Sequence, residues 1–358
     1  MKPDYRRLLA VLWNEEAPDR VPLYEHFVDL EVIEYLLNER LRGMALSKPD
    51  SRRRYLLALI RFYKGLGYDY VPLELPLKLP RTNILTAPDT ARLSRGFRAW
   101  QDEHHGVIET LDEYWGYPWP DPDEAADYEL MEELCRLLPK GMAVIGGVAG
   151  GVLEHVMWLM GFTPFFRSLY KQPKLVKLMF ERVGKLIYEV DSIIVEYDRL
   201  IALRMGDDMG FRKGTFVSPK VLRKYVFPWH KRCVDLAHKH GKPFILHSCG
   251  NLKAVMEDLI EYVRIDAKHS FEDAIMPVTK AKSLYGDRIA ILGGVDVDKL
   301  SRLPPREFGD YVREVLRACA PGGGYALGSG NTITNYVNIE NYLLMIRIGL
   351  KYGKYPVK

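Results

Sequence analysis

Short apolar runs alternate with longer segments of helical periodicity along most of this chain. Each run is apolar throughout rather than at every second position, which is typical of strands buried on both faces of a parallel sheet. Strands that alternate with helices predict an α/β fold. The eight runs are residues 20–25, 68–75, 142–147, 200–206, 243–248, 263–270, 288–294 and 324–329.

Eight strands interleaved with helices predict a single (β/α)8 TIM barrel that spans residues 1–358. The regular spacing is lost between the second and third runs, where the chain is aromatic, acidic and proline-rich. A segment of roughly 65 residues with this composition would bury little core by itself. We therefore interpret residues 76–141 as an insertion after the second strand, comprising a small strand pair and a proline-rich loop over one end of the barrel.

Polar and ionisable side chains follow the predicted strands at their carboxyl ends, where barrel enzymes carry their active sites. Burying unpaired charges is costly, so such a concentration of ionisable groups indicates a functional site. The candidates are Glu25, His26, Glu74, Glu154, Asp207, Asp208, His247, Cys249, His269, Glu272, Asp296, Ser329 and Asn331.

The sharpest motif among these candidates is His247-Ser-Cys249, at the end of the run "FILHSCGNL". Side chains two residues apart on an extended segment point to the same side, so the imidazole and the thiol can converge on one ion. Zinc accepts such mixed nitrogen and sulfur ligands, and a catalytic zinc site leaves one position open. A buried core histidine followed by a buried cysteine is the alternative interpretation.

Composition narrows the class of protein further. The 51 basic and 47 acidic residues are spread along the chain, which gives no indication of nucleic-acid binding. No apolar stretch reaches membrane-spanning length, and the charged N-terminus lacks the apolar run of a signal peptide, so we expect a cytoplasmic protein without a membrane segment. Four widely spaced cysteines indicate free or metal-binding thiols rather than a disulfide framework.

Several motifs resemble the uroporphyrinogen decarboxylase superfamily, and within it the methyltransferase-like branch. They are "RVPLYEHFVDLEVIEYLL", "ILHSCGNL", "MEDLIE", "GGVDVDKL", "PGGGYALGSGNTI" and "VNIENYLLMI". The resemblance covers essentially the whole chain, and its C-terminal motifs are the most specific. The resemblance implies a (β/α)8 barrel and corrinoid-dependent methyl transfer to a thiol or related acceptor. The decarboxylases themselves carry an arginine-rich signature after the first strand, whereas "YEHFVDLEV" contains no arginine, which argues against a porphyrinogen substrate.

The resemblance also implies a zinc site. In the methyltransferase branch the His-X-Cys pair binds zinc, which activates an acceptor thiol as thiolate, and His247 and Cys249 match this pair. A further family cysteine lies in the glycine-rich turn after the last strand, where this chain has Ser329. Glu272 is the replacement ligand that the spacing of the related methionine synthases implies, and His269, three residues before it, is the other candidate. The alternative is that Glu272 and Asp273 cap the following helix.

The remaining candidates are assigned to catalysis or to substrate binding. Two adjacent acids cannot both point inward, so one of Asp207 and Asp208 is expected to face the pocket, and the resemblance favours Asp208. Glu154 is expected to act as an acid/base or to bind a substrate amine, or else to be an acidic residue in the first turn of a helix. The predicted catalytic residues are Asp208 and Glu154, and the predicted substrate-binding residues are His26, Glu74, Asp207, Asp296, Ser329 and Asn331.

Three functions follow as hypotheses. The first is a metal-assisted methyltransferase that moves a methyl group between a corrinoid, carried on a partner protein, or a small methylated compound and a thiol or similar acceptor. The second is a decarboxylase-like lyase that acts on a smaller substrate without metal. The third is a protein without enzymatic activity that binds a corrinoid or a tetrapyrrole. Dimerisation through the outer face of the barrel is a further implication of the resemblance.

Overall fold

The structure, a computed structural model, describes residues 2–15 and 17–357. Its strands are β1 (Tyr70–Pro76), β2 (Ile84–Pro88), β3 (Phe97–Gln101), β4 (Ala143–Ala149), β5 (Leu200–Gly206), β6 (Gly210–Phe211), β7 (Gly214–Thr215), β8 (Phe244–His247), β9 (Ala267–His269), β10 (Ala290–Leu292) and β11 (Tyr325–Ala326).

Helices cover about half of the remaining chain. They are α1 (Arg6–Leu12), α2 (Leu30–Leu37), α3 (Pro49–Leu66), α4 (Leu111–Gly116), α5 (Tyr128–Leu137), α6 (Val152–Met160), α7 (Phe162–Lys171), α8 (Pro173–Ile194), α9 (Pro219–Val221), α10 (Phe227–Lys239), α11 (Val278–Tyr285), α12 (Val297–Arg302), α13 (Pro305–Cys319) and α14 (Ile339–Tyr352). A 3-10 turn covers Pro122–Glu124, and π-helical turns cover Leu222–Val226 and Asp258–Val263.

The main sheet contains seven strands, all paired in parallel, in the order β1-β4-β5-β8-β9-β10-β11. Each lies within one of the predicted apolar runs or extends it by up to two residues. The strands are buried almost throughout because helices cover the sheet. In α13, for example, Phe308, Val312, Val315, Leu316 and Cys319 form one buried face. The α/β class predicted from the apolar runs is confirmed.

The first apolar run differs from the prediction, because residues 20–25 do not form a regular strand. Leu23 makes one isolated parallel bridge to Leu327, beside β11. Proline explains the poor pairing on the side of β1. The carbonyl of Asp69 accepts a hydrogen bond from Ala143 in β4, so the alternate residues of β1 direct their polar groups to the other edge. One of them is Pro72, which has no N–H to donate.

Side chains hold this segment against β1 instead. The hydroxyl of Tyr70 lies 2.8 Å from the amide nitrogen of Glu25, from which it accepts, and 2.5 Å from the Glu25 carbonyl oxygen, to which it donates. Nearer the start of β1, the buried guanidinium of Arg20 donates to Asp69 Oδ2 at 2.9 Å. Residues 20–25 therefore contact both edge strands of the main sheet, which gives the sheet a curled form.

Between β1 and β4 the chain forms an antiparallel strand pair, β2 and β3, followed by α4 and α5. Both faces of the pair are largely exposed, and its apolar side chains include Ile84, Leu85, Phe97 and Trp100. Phe97 is 69% exposed. No helix in the described part of the chain combines the length and the apolar character needed to cross a membrane.

We expect Tyr70→Phe to lower the free energy of unfolding measured in urea. The substitution leaves the buried amide and carbonyl groups of Glu25 without their hydroxyl partner, and each unsatisfied group costs about 1–3 kcal/mol. Tyr24→Phe is the matched control, because Tyr24 is fully buried and stacks on Tyr70, while its hydroxyl has no partner among the described residues. A Tyr70→Phe protein as stable as Tyr24→Phe would show that the Tyr70 hydroxyl does not hold residues 20–25 against β1.

Candidate functional site

The candidate site lies at the carboxyl ends of neighbouring strands in the middle of the main sheet. His247 ends β8 and pairs in register with Gly206 of β5 on one side and with His269 of β9 on the other. Asp207 and Asp208 follow β5 directly. Parallel pairing in register therefore brings the histidines and the acids, which lie far apart in sequence, to one end of the sheet.

Cys249, His247 and Asp208 form one group of possible metal ligands. Cys249 Sγ lies 3.5 Å from His247 Nε2, which lies 3.8 Å from Asp208 Oδ1. A tetrahedral zinc ion bound at about 2.0–2.3 Å separates neighbouring ligand atoms by about 3.3–3.7 Å. The nitrogen, sulfur and oxygen donors are thus of the types that zinc accepts, and the sulfur–nitrogen and nitrogen–oxygen distances are close to those that it requires.

A second group contains the buried histidines His26, His247 and His269. The Nδ1 atoms of His247 and His269 are 2.8 Å apart, which is a hydrogen-bond distance. The rings of His26 and His247 stack with centroids 3.9 Å apart and an interplanar angle of 10°. Parallel rings do not aim their nitrogen lone pairs at a common point. The three histidines as arranged are therefore a packed, hydrogen-bonded cluster rather than a second three-ligand site.

Burial keeps these histidines neutral. It lowers the pKa of His269 to about 3 and lowers the pKa values of His26 and His247 well below the usual range. The positive charge of Arg204 acts in the same direction on all three pKa values. Neutral imidazole is the form that binds a metal or accepts a proton.

Asp207 anchors the backbone. Its carboxylate accepts hydrogen bonds from the amides of Leu153 and Glu154, in the first turn of α6, and lies 2.7 Å from His230 Nε2. With these partners Asp207 fixes the start of α6 and is not turned toward an open pocket. Asp208 is the acid of this pair that lies beside His247 and Cys249, and its Oδ1 also accepts from the Cys249 amide at 2.7 Å.

Glu154 lies in the first turn of α6, as one of the two interpretations of the sequence expected. Its carboxylate lies 3.4 Å from the amide nitrogen of Gly151 and so caps the helix that it helps to begin. Burial raises its pKa well above the usual range, and the charges of Asp207 and Asp208 raise it further. A carboxyl group with such a raised pKa can stay protonated and donate a proton at neutral pH.

Glu74 is paired inside the sheet. Its Oε1 accepts from Arg204 Nε at 2.7 Å, and both side chains are buried. Arg204 also donates to the carbonyl oxygen of His26 at 2.8 Å and lies over the ring of Phe27, 4.5 Å from its centroid. The carboxylate of Glu74 is therefore neutralised by an arginine that also supports His26, whereas its position at a strand end predicted contact with substrate.

Ser329 is turned toward Glu25. Its amide and hydroxyl groups lie 2.9 Å and 2.5 Å from the two carboxyl oxygens of Glu25. Burial raises the pKa of Glu25 to about 8, so a protonated carboxyl can donate to the hydroxyl, which in turn donates to the Asn331 carbonyl at 2.9 Å. The Asn331 side chain donates to Cys249 Sγ at 3.2 Å. The Ser329 side chain thus contacts Glu25 rather than the possible metal ligands, whereas the Asn331 side chain contacts one of them, Cys249.

Glu272 and Asp296 line a cavity next to the site, and this cavity is here called the mouth. It has a volume of about 920 Å³ and is also lined by Asn331. Asp296 caps α12 through the amide of Lys299 and also accepts from the amide of Asp273. Across residues 2–15 and 17–357, the groups of convergent ligand atoms contain Asp208 but not Glu272. The third ligand predicted from spacing therefore differs from the one that the side-chain positions bring together.

Sequence reasoning did not single out Lys268, which precedes His269. Its buried ammonium group donates to the carbonyl oxygens of Ser270 at 2.7 Å and Ser248 at 3.2 Å, and burial lowers its pKa to about 8. These bonds tie the segment that carries Cys249 to the segment that follows β9. A lysine inside an apolar run was the available signal, because such a residue must find polar partners when it is buried.

We expect Cys249 of the metal-free protein to react slowly with iodoacetamide. Burial, with the charge of Asp208 next in size, raises the pKa of its thiol to about 12, so roughly one thiol in ten thousand is ionised at pH 8. Asp208→Asn removes that charge and should speed alkylation, by about threefold or more, in peptide mass spectrometry. Asp298→Asn, at the surface, is the matched control. An unchanged rate in Asp208→Asn would show that Asp208 does not influence the thiol.

Comparison with known proteins identifies the family. The sequence model described as uroporphyrinogen decarboxylase (URO-D) matches residues 107–351. No curated protein matches the sequence. Among solved structures, a methyltransferase from Methanosarcina mazei superimposes with a TM-score of 0.72 at 17% identity, over 97% of this chain and 98% of that one.

Weaker structural similarities extend to other enzymes. A β-glucosidase mutant derived from a hyperthermophilic tetrameric structure has a TM-score of 0.43 at 10% identity, over 93% of this chain and 95% of that one. A xylanase from Gloeophyllum trabeum has a TM-score of 0.40 at 10% identity, over 63% of this chain and 81% of that one. Neither bears on function, whereas the family match covers more than half of the sequence and agrees with the motifs quoted above. The chain belongs to the uroporphyrinogen decarboxylase family.

Proposed function

We propose that this protein is a metal-assisted methyltransferase that moves a methyl group between a corrinoid, or a small methylated compound, and a thiol or similar acceptor. The observation that carries the proposal is the convergence of Cys249 Sγ, His247 Nε2 and Asp208 Oδ1 at the strand ends. Three protein ligands of mixed type are the pattern of a catalytic zinc site. The fold shared with a methyltransferase is consistent with this proposal.

His247, Cys249 and Asp208 would hold the zinc ion in this proposal. When bound, zinc would supply Lewis acidity that turns an acceptor thiol into a thiolate, the nucleophile for a methyl group. Thiolate and carboxylate ligands together carry two negative charges, which match the charge of the ion. Asp208 takes the place that the sequence analysis gave to Glu272, and Ser329 is not a ligand because its hydroxyl is directed to Glu25.

The surrounding residues orient and polarise the site. Asn331 donates to the sulfur of Cys249 at 3.2 Å and thereby stabilises charge on it. Lys268 binds the backbone carbonyls of Ser248 and Ser270 beside Cys249, and its positive charge also favours the thiolate. Glu154 is the nearby acid whose raised pKa suits it to hold a proton or to contact a substrate amine. Substrate would enter through the cavity lined by Glu272 and Asp296.

The proposed corrinoid partner protein would approach from the same side. The cavity at the mouth is also lined by Arg95, Arg98 and Ala99, from the β2–β3 region. This strand pair exposes apolar side chains on both faces, as a surface for a partner would.

We propose further that the curled sheet is closed as a (β/α)8 barrel, with residues 20–25 as the eighth strand and residues 76–141 as an insertion. The parallel bridge between Leu23 and Leu327 and the Tyr70 hydroxyl contacts with Glu25 support closure. The exposed strand pair supports the insertion.

A decarboxylase-like lyase is the second candidate function. It is favoured by the two neighbouring carboxyl groups of Glu154 and Asp208, both with raised pKa values, which could exchange protons without a metal. Carbon dioxide release from a small carboxylic acid, unaffected by removal of zinc, would favour this function over methyl transfer.

We expect the untagged protein to retain about one zinc ion per chain, measured by elemental mass spectrometry. His247→Ala, Cys249→Ala and Asp208→Ala should each lose most of it, because each removes one ligand atom. Glu272→Gln should retain zinc, and Cys319→Ala is the control for removal of a buried cysteine outside the site. Absence of zinc from the wild-type protein would contradict the proposal. Loss of zinc in Glu272→Gln but not in Asp208→Ala would indicate that Glu272, and not Asp208, is the third ligand.

Methyl transfer is tested with methylcobalamin and a panel of small thiols, with the methylated thiol as the measured product. The wild-type protein should form product at a rate that His247→Ala reduces at least about a hundredfold, because the acceptor loses its activating ion. Tight corrinoid binding without transfer to any thiol would contradict the enzymatic proposal and favour a binding protein.

A further inference from the structure

His269 bridges the ligand His247 and a backbone carbonyl. Its Nδ1 lies 2.8 Å from His247 Nδ1, and its Nε2 lies 3.0 Å from the carbonyl oxygen of Ser329. His247 and His269 are both buried. This short chain of contacts determines where the protons of both imidazoles reside.

The carbonyl oxygen at one end can only accept. It accepts from the amide of Gly294 at 3.1 Å and from His269, so His269 carries a proton on Nε2. A neutral imidazole has one such proton, which leaves Nδ1 of His269 as an acceptor. At 2.8 Å the facing Nδ1 of His247 must therefore be the donor. The opposite assignment would set the lone pair of His269 Nε2 against the lone pairs of a carbonyl oxygen.

The tautomer of His247 follows directly. With its proton on Nδ1, the lone pair of His247 lies on Nε2, the atom 3.5 Å from Cys249 Sγ and 3.8 Å from Asp208 Oδ1. Nε2 is thus free to bind a cation. The other tautomer would aim an N–H group at the site and could not coordinate.

We infer that His269, anchored on the carbonyl of Ser329, is the positioning residue that holds His247 in the tautomer required for binding a cation beside Cys249 and Asp208. As far as it concerns zinc, the inference rests on the proposed function, whereas the tautomer itself is a property of the metal-free protein. The inference also gives Ser329 a role in the site. Its backbone carbonyl accepts from His269, and its amide and hydroxyl groups are hydrogen-bonded to Glu25.

His26 provides a contrast within the same cluster. Its ring stacks on His247 at 3.9 Å but shares no hydrogen bond with either of the other two rings in the described structure. Substitution of His26 by phenylalanine keeps an aromatic ring against His247 and leaves the proton chain intact. His26→Phe therefore separates the effect of packing from the effect of the tautomer.

The first measurement is nitrogen-15 NMR of the imidazoles in the metal-free wild-type protein. We expect His247, assigned by its absence from the spectrum of His247→Gln, to carry its proton on Nδ1, with Nε2 unprotonated. A proton on Nε2 of His247 would overturn the inference whether or not the protein binds zinc. The experiment therefore decides the tautomer even if the proposed function fails.

The second measurement is zinc affinity by competition with a chelator. His269→Leu removes the acceptor for His247 and should weaken zinc binding by about 10–100-fold, the usual effect of removing such a partner. His269→Gln supplies an amide oxygen toward His247 and an amide N–H toward Ser329, so its affinity should stay within about threefold of wild type. His26→Phe should show the same small change.

Several zinc-affinity results would contradict the inference. Equal affinity of His269→Leu and the wild type would overturn the inference, and so would equal losses in His269→Leu and His269→Gln, or in His269→Leu and His26→Phe. If the wild type binds no zinc, the metal proposal fails and the NMR result alone decides the role of His269. If His269→Leu does not fold, the comparison of His269→Gln with the wild type and the NMR assignment decide it.

Discussion

The site depends on the hydrogen bonds of the buried Arg204 guanidinium with Glu74 and with the carbonyl oxygen of His26. This arginine joins β5 to β1 through Glu74 and to the carbonyl of His26, so it ties the sheet to the segment that runs beside its edge. A buried charge without a partner is strongly destabilising, which makes these contacts mutually dependent. The guanidinium also places a fixed positive charge near the histidine cluster, where it opposes protonation of all three rings. The same residue that organises the strands therefore preserves the neutral imidazoles.

Much of the fold could be predicted from the apolar runs because burial on both faces leaves a direct mark on sequence. Seven of the eight predicted runs contain strands of the main sheet. The first run does not, because strand pairing depends on which backbone groups face the neighbouring strand. Pro72 weakens pairing only because it lies on β1 opposite residues 20–25, and the sequence does not indicate that these two segments are neighbours. A similar limit applies to Glu74, whose position at a strand end is evident in sequence but whose partner Arg204 is distant along the chain.

The candidate site shows the same division. His247 and Cys249 could be identified because their spacing is local, and the strand register then adds His269 to the same row. Asp208 could be placed near them, but not assigned as the third member of the ligand group, since that depends on how the chain turns after β5. Glu272, chosen by spacing, lies at the mouth instead. Distances between side chains on different loops are set by the loop conformations, which the pattern of apolar residues does not encode.

The side-chain joint between residues 20–25 and β1 has a mechanical consequence. A hydrogen-bonded ladder resists separation along its whole length, whereas side-chain contacts made by Tyr70, by the Arg20–Asp69 pair and by Arg204 concentrate resistance at three points. The sheet is therefore most compliant along this line. Glu25 and His26 lie in or directly after residues 20–25. A small outward displacement of this segment would therefore shift the contacts of Glu25 with Ser329 and of His26 with His247 before any strand pairing broke.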